Sequence, residues 1–137
     1  MTIAFPFERQ PSALFGMVRR PVAPVQLWSA RSRSWVTIVM LVDTGADYTL
    51  LGRVHADVLG IDLRGCRRVV TAGIGGTEIV RLRSRLALRL GPWSRDIVAG
   101  FLDRDDVPPL LGRARCLDSF DVRFSRHRTF FRAPRRR

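Results

Sequence analysis

Lysine is missing from this chain: all 24 basic residues among its 137 are arginine. Surfaces shaped to bind phosphate usually mix the two cations, so the imbalance reads as a bias of coding rather than of binding chemistry. Cysteine is scarce. Cys66 and Cys116 are too few for a disulfide framework and stand at no metal-ligand spacing, so neither a metal nor another cofactor is expected. A reducing cytoplasm is the default expectation for location. Long apolar runs are missing as well. The longest, Ile38–Val42, has five residues, too short for a helix that spans a bilayer, and no membrane partner is expected. Met1–Arg9 lacks a basic stretch followed by a long apolar one, so no signal peptide is expected.

What is present is a globular balance, 46% apolar and 26% charged, in place of the polar excess of a disordered chain. The length suits one domain with one modest core. The formal net charge of +12 is uneven: residues 121–137 hold seven arginines and one aspartate, 7 − 1 = +6. Such a segment is either a solvated tail or a nucleic-acid contact acting through counterion release. The tail is the preferred reading, because interleaved aromatics and a readout motif are both missing.

Three segments are expected: an N-terminal arm over residues 1–20, a folded domain over 21–132 and a basic tail over 133–137. The arm mixes Pro6, Pro11 and Gly16 with scattered Phe5, Phe7, Leu14 and Phe15, and shows no helical or strand period. Pro21–Trp28 reads as a strand near an edge, and Trp35–Val42 as a central strand, apolar on both faces. Arg53–Leu59 is a short helix ended by Gly60. Arg67–Thr71 and Thr77–Leu90 form a hairpin about Gly73–Gly76. In its second arm Arg81, Arg83 and Arg85 alternate with Leu82, Ser84 and Leu86, so the arginines read as a wet face. Arg95–Leu102 is a further strand. Asp103–Asp106 lacks the pattern of a calcium loop and reads as solvated. Leu110-Leu111 is a very short strand, a helix is expected over Arg113–Phe120, and Phe120–Phe124 pairs with Thr129–Arg132. The class is all-β.

The chemistry concentrates in residues 41–52. An apolar run delivers one acid, Asp43, into the Thr44-Gly45 turn, after which Thr49–Gly52 resumes an apolar path. A carboxylate at the end of a buried strand is costly unless hydrogen bonds or a function retain it. The same tripeptide also occurs as an ordinary turn in which Asp bonds its own downstream backbone. Two further stretches accompany it. They are the glycine-rich run Thr71–Val80, with Gly73, Ile74, Gly75, Gly76 and Thr77 at its centre, and Leu110-Leu111-Gly112-Arg113.

Asp43-Thr44-Gly45-Ala46-Asp47 resembles the active-site loop of the retropepsins, the single-domain retroviral type of aspartic protease. The glycine-rich run resembles their flap, and Leu110–Arg113 the segment packed beneath the loop. The order agrees over about residues 22–124. The resemblance implies a closed β-barrel, half of a pepsin-like fold, with one or two short helices and a flap hairpin. It implies an aspartic endopeptidase in which Asp43 is catalytic, supported by Thr44 and Gly45. Ala46, Asp47, Gly73, Ile74, Gly75, Gly76 and Thr77 would bind a peptide or protein substrate, with Leu50, Ile74 and Val107 suited to bulky apolar side chains. Gly112 and Arg113 would support the loop, Arg113 through a partly buried pair with Asp47 whose loss costs on the order of 3–5 kcal/mol. Members outside the retroviruses often carry Asp directly after Gly-Arg. Here that place is Ala114, with Asp118 as a possible substitute for orienting Arg113.

The chain holds one Asp-Thr-Gly and no second copy. Two carboxyls about 3 Å apart share one proton and supply acid and base together. A single chain is therefore half a catalyst, and a homodimer with Asp43 from each copy is implied. The alternative is a domain of the same fold that no longer cleaves peptides and serves as a dimerisation or peptide-binding module.

Overall fold

The computed structural model describes residues 2–73 and 75–134. Its chain begins with β1 (Thr2–Pro6), β2 (Glu8–Ser12), β3 (Gly16–Arg20), β4 (Val22–Ser29) and β5 (Ser34–Val42). After β6 (Thr49–Leu51) comes helix α1 (Arg53–Leu59), then β7 (Arg67–Gly73), β8 (Gly76–Leu90) and β9 (Trp93–Leu102). The very short β10 (Leu110–Leu111) precedes a final hairpin, β11 (Asp121–Ser125) and β12 (Arg128–Arg132). The fold is all-β, as the alternation of short apolar runs with turn residues implies.

Seven strands pair in the order β4-β5-β10-β6-β9-β8-β7. β8 also pairs back onto β4, with Gln26 opposite Arg89 and Leu27 opposite Leu88, so the sheet closes into a barrel. The first barrel strand is therefore joined on both sides and does not form the expected edge. Alternation along β4 sends Val25, Leu27 and Ser29 inward and leaves Pro24, Gln26 and Trp28 outside. Val25 and Leu27 meet Met40, Leu88, Ile97 and Phe101 in a fully buried core. Each such side chain contributes roughly 1.5–3 kcal/mol by leaving water.

Residues 1–20, where no strand period was legible, hold three strands. β1 pairs with β12, and Phe5 meets the buried Phe131 edge-on at 6.0 Å. Among the described residues β2 and β3 pair only with each other, and Leu14 and Phe15 stand exposed at their turn. The helix expected over Arg113–Phe120 is not formed. Arg115 takes a left-handed φ of 55°, which no α-helix continues through, and only Leu117–Ser119 winds a 3-10 turn. The strict alternation expected along β8 also fails, since the pairing with β9 shifts register between Arg83 and Leu86.

Candidate active site

Strand β5 is central in the sheet, as expected, but it is not buried on both faces. Ile38, Met40 and Val42 point into the core while Thr37 and Val39 are exposed, and Asp43 is half-buried at the strand's end. What fixes that end is β10, which lies between the two strands that flank the loop. Leu110 and Leu111 run parallel to Leu41 and Val42, while Leu110 also faces Leu50 of β6. The Asp43 N–H donates to the Leu111 carbonyl at 3.0 Å, and the Leu41 N–H to that of Pro109 at 2.8 Å. Within the loop, the Gly45 N–H donates to Asp43 Oδ1 at 3.0 Å and the Ala46 N–H to the Asp43 carbonyl at 3.2 Å. The carboxylate is thus aimed by its own backbone; Ala46 offers no hydroxyl to assist. Thr44 and Gly45 are exposed.

Gly112-Arg113-Ala114 closes the loop from below. The Arg113 N–H donates to the Ala46 carbonyl at 3.0 Å and the Ala114 N–H to that of Asp47 at 2.8 Å. At Gly112 a Cβ would sit 2.2 Å from the carbonyl carbon and oxygen of Tyr48, so this contact exists only because the residue is glycine. The Gly112 N–H donates to the hydroxyl of the fully buried Thr49 at 3.2 Å. Cys116 lies in the same buried layer, where burial pushes its thiol up to about 12, against the pull of a hydrogen bond with Thr49.

Arg113 pairs with Asp47 at 2.7 Å, as expected, but the pair is not buried in the protomer. The Asp47 side chain is 80% exposed, because it points from the loop into solvent. Asp118 reaches Arg113 through its backbone N–H, which donates to the Arg113 carbonyl at 3.0 Å. Among the described residues the carboxylate on Arg113 is that of Asp47.

A cavity of about 370 Å3 opens beside the loop. Ala46, Asp47 and Leu50 form one wall, Thr71, Glu78 and Val80 of the β7–β8 hairpin another, and Arg104 and Val107 the rim. The hairpin narrows to Gly73 opposite Gly76, and Gly76 adopts φ 110°. A Cβ at Gly75 or Gly76 would meet nothing within 4 Å, so the tip stands free of the body.

A family model described as aspartyl protease matches residues 32–114, more than half of the chain, from the turn just before β5 through Ala114. The chain belongs to the aspartyl protease family. A solved structure, that of a retropepsin-like aspartic protease from Rickettsia conorii, is similar over 95% of this chain and 98% of its own, with a TM-score of 0.69 and 20% identity. At that identity the likeness is one of fold, and it makes this aspartyl protease retropepsin-like in architecture. No curated protein matches the chain.

In this aspartyl protease chain the structure brings Asp43, Gly45, Ala46, Asp47, Gly112 and Arg113 into one hydrogen-bonded unit, with Thr44 exposed at its turn. Leu50 and Val107 line the adjoining cavity, as expected of apolar pocket residues; Ile74 lies outside the described residues. Gly73, Gly75, Gly76 and Thr77 belong to the hairpin's end, beyond the cavity wall. Sequence reasoning missed Tyr48, Glu78 and Arg104. Burial, with the Asp47 carboxylate adding to it, pushes the Tyr48 phenol up from its ordinary value. Arg104 pairs with Glu78 at 3.5 Å and with Asp106, tying the hairpin to the loop after β9. Nothing in the local sequence signals that tie; it appears only once β8 and the 103–107 loop share a cavity.

Proposed function

We propose that the chain is an aspartic endopeptidase that works as a homodimer, with one Asp43 carboxylate from each copy at the two-fold axis. The observation that carries the reading is the hold on Asp43. One of its oxygens accepts a backbone N–H, its chain is pinned by β10, and the cavity beside it is lined by the next residues of the same loop. One carboxylate, ionised, takes a proton from water as the water oxygen attacks the scissile carbonyl. The other carboxyl, protonated, donates to the carbonyl oxygen, and the shared proton is restored when the amine leaves. Thr44, exposed here, would bond across the axis. Gly45 and Asp47 would meet the peptide backbone, and the glycine-tipped hairpin would close over it as a flap.

Incubating a peptide library with the wild type and with Asp43→Asn tests this. Cleavage by the first and its loss in the second are expected. Peptide capture without cleavage by the wild type would instead mark a binding module, and undiminished cleavage by Asp43→Asn would refute the assignment of Asp43.

A further inference from the structure

We propose that the base of the β7–β8 hairpin carries an oxyanion site for phosphate groups, built from Arg67, Arg83 and Arg85 with the Ser84 hydroxyl. The first observation is the bulge. Up to Arg83 the pairing of β8 with β9 is regular, and it resumes with Leu86 opposite Ile97, so three steps along β8 match two along β9. One residue is extra. In consequence Arg83, Ser84 and Arg85 are exposed in succession, where an unbroken strand would turn every second side chain inward. Bulges re-aim side chains in this way, often beside functional sites.

The second observation is what the bulge faces. A cavity of about 490 Å3 lies there, with Arg67 and Cys66 on the opposite wall and no acidic side chain among its lining residues. The Arg83 Nε–H donates to the Arg85 carbonyl at 3.0 Å, which fixes its guanidinium plane in advance of any ligand. A fixed planar fork suits the oxygens of a phosphate, with which arginine forms paired charge-assisted hydrogen bonds.

Charge is the third. Arg67, Arg83 and Arg85 share the lining of one cavity. Like charges gathered in this way repel unless something answers them. The ion pairs of the described residues lie elsewhere, and the hairpin's own acid, Glu78, is engaged by Arg104. Single exposed arginines would serve as edge protection or solubility. That role calls neither for a bulge nor for three arginines about one cavity. The shared ligand chemistry is the phosphate oxyanion, whether from a free polyphosphate or from the backbone of a single-stranded nucleic acid.

Calorimetric titration of the full chain at fixed ionic strength, with tripolyphosphate and separately with a single-stranded oligonucleotide, provides the test. Two double variants remove equal charge: Arg83→Gln/Arg85→Gln at the bulge, and Arg9→Gln/Arg128→Gln on other strands. Saturable binding of at least one probe is expected, weakened about tenfold by the bulge variant and less than about twofold by the control. Binding of tripolyphosphate alone would identify a free anion as the source, and tighter binding of the oligonucleotide a phosphodiester chain. Should the bulge variant misfold, Arg67→Gln is expected to weaken binding about threefold by itself. Equal weakening by both double variants, or no saturable binding of either probe to the wild type, would overturn the proposal.

Discussion

Gly112 has no room for a side chain, and the contact that demands this is also the one that seats the Asp43 loop. A methyl group 2.2 Å from the Tyr48 carbonyl must move backbone, not the end of a flexible side chain. Gly112→Ala is therefore expected to cost about 3 kcal/mol or more in urea unfolding. Gly75→Ala, in open space at the hairpin tip, is expected to stay within about 0.5 kcal/mol of the wild type. A small effect at Gly112 would mean that the segment beneath the loop yields more easily than its packing implies. Arg113 shows the opposite balance. Its partner Asp47 is largely in water, so solvent screens the pair and the burial penalty foreseen from sequence does not arise. A double-mutant cycle over Arg113→Ala and Asp47→Ala, read as protomer stability, should return less than about 1 kcal/mol.

Helix α1 shows how one element depends on another distant in sequence. Gly52 precedes it with no side-chain cap, and the carboxylate of Asp105 accepts the Val54 N–H at 2.9 Å from the far loop instead. Inside the first turn, His55 Nδ1 is buried without a partner among the described residues. Burial lowers the His55 pKa, while the Asp105 charge works against it. A lowered folded value means that the native state holds the imidazole neutral. That contribution to stability is complete above the ordinary value of 6.5 and is lost as pH falls toward the folded one. Melting temperature followed from pH 7.5 downward should fall less steeply in His55→Gln than in the wild type. Parallel curves would show that His55 does not titrate across the unfolding transition. The limits of α1 were legible because its stop is chemical: Gly60 sits at φ 70°, where glycine is the natural residue. The hairpins were legible for the same reason. β2 and β3 were not, because half-exposed strands bury too few side chains to print a period, and in β1 the alternation of Ile3 and Phe5 is masked by apolar Ala4 and Pro6 on its exposed side. Nor was the break at Arg115, a left-handed arginine that no local rule marks. In the candidate site, Asp43–Asp47 and Gly112-Arg113 carry their chemistry in residue type and order. Glu78 and Arg104 acquire theirs only from the folding of two remote segments onto one cavity.

At the scale of the whole molecule, the proposed mechanism makes concentration a variable of activity. If each chain supplies one Asp43, specific activity should fall on dilution below the dimer dissociation constant. Equal mixing of wild type with Asp43→Asn, allowed to exchange subunits, should leave about one quarter of the dimers with two intact carboxylates. Sedimentation and cleavage rates measured on the same samples check this, and full activity in a monomeric preparation would rule the dimer out. The position of β10 has a consequence of another kind. The strand that pins Leu41 and Val42 is Leu110-Leu111, so the contact is separated by 110 − 41 = 69 residues. Pairings so distant in sequence form late, since the intervening chain must first be drawn together. During synthesis the segment bearing Asp43 leaves the ribosome long before the residues that hold it, and the barrel cannot be completed around it until they follow. A nascent chain thus carries Asp43 in an unshaped loop, which acquires its geometry only once Leu110 and Leu111 have emerged and paired.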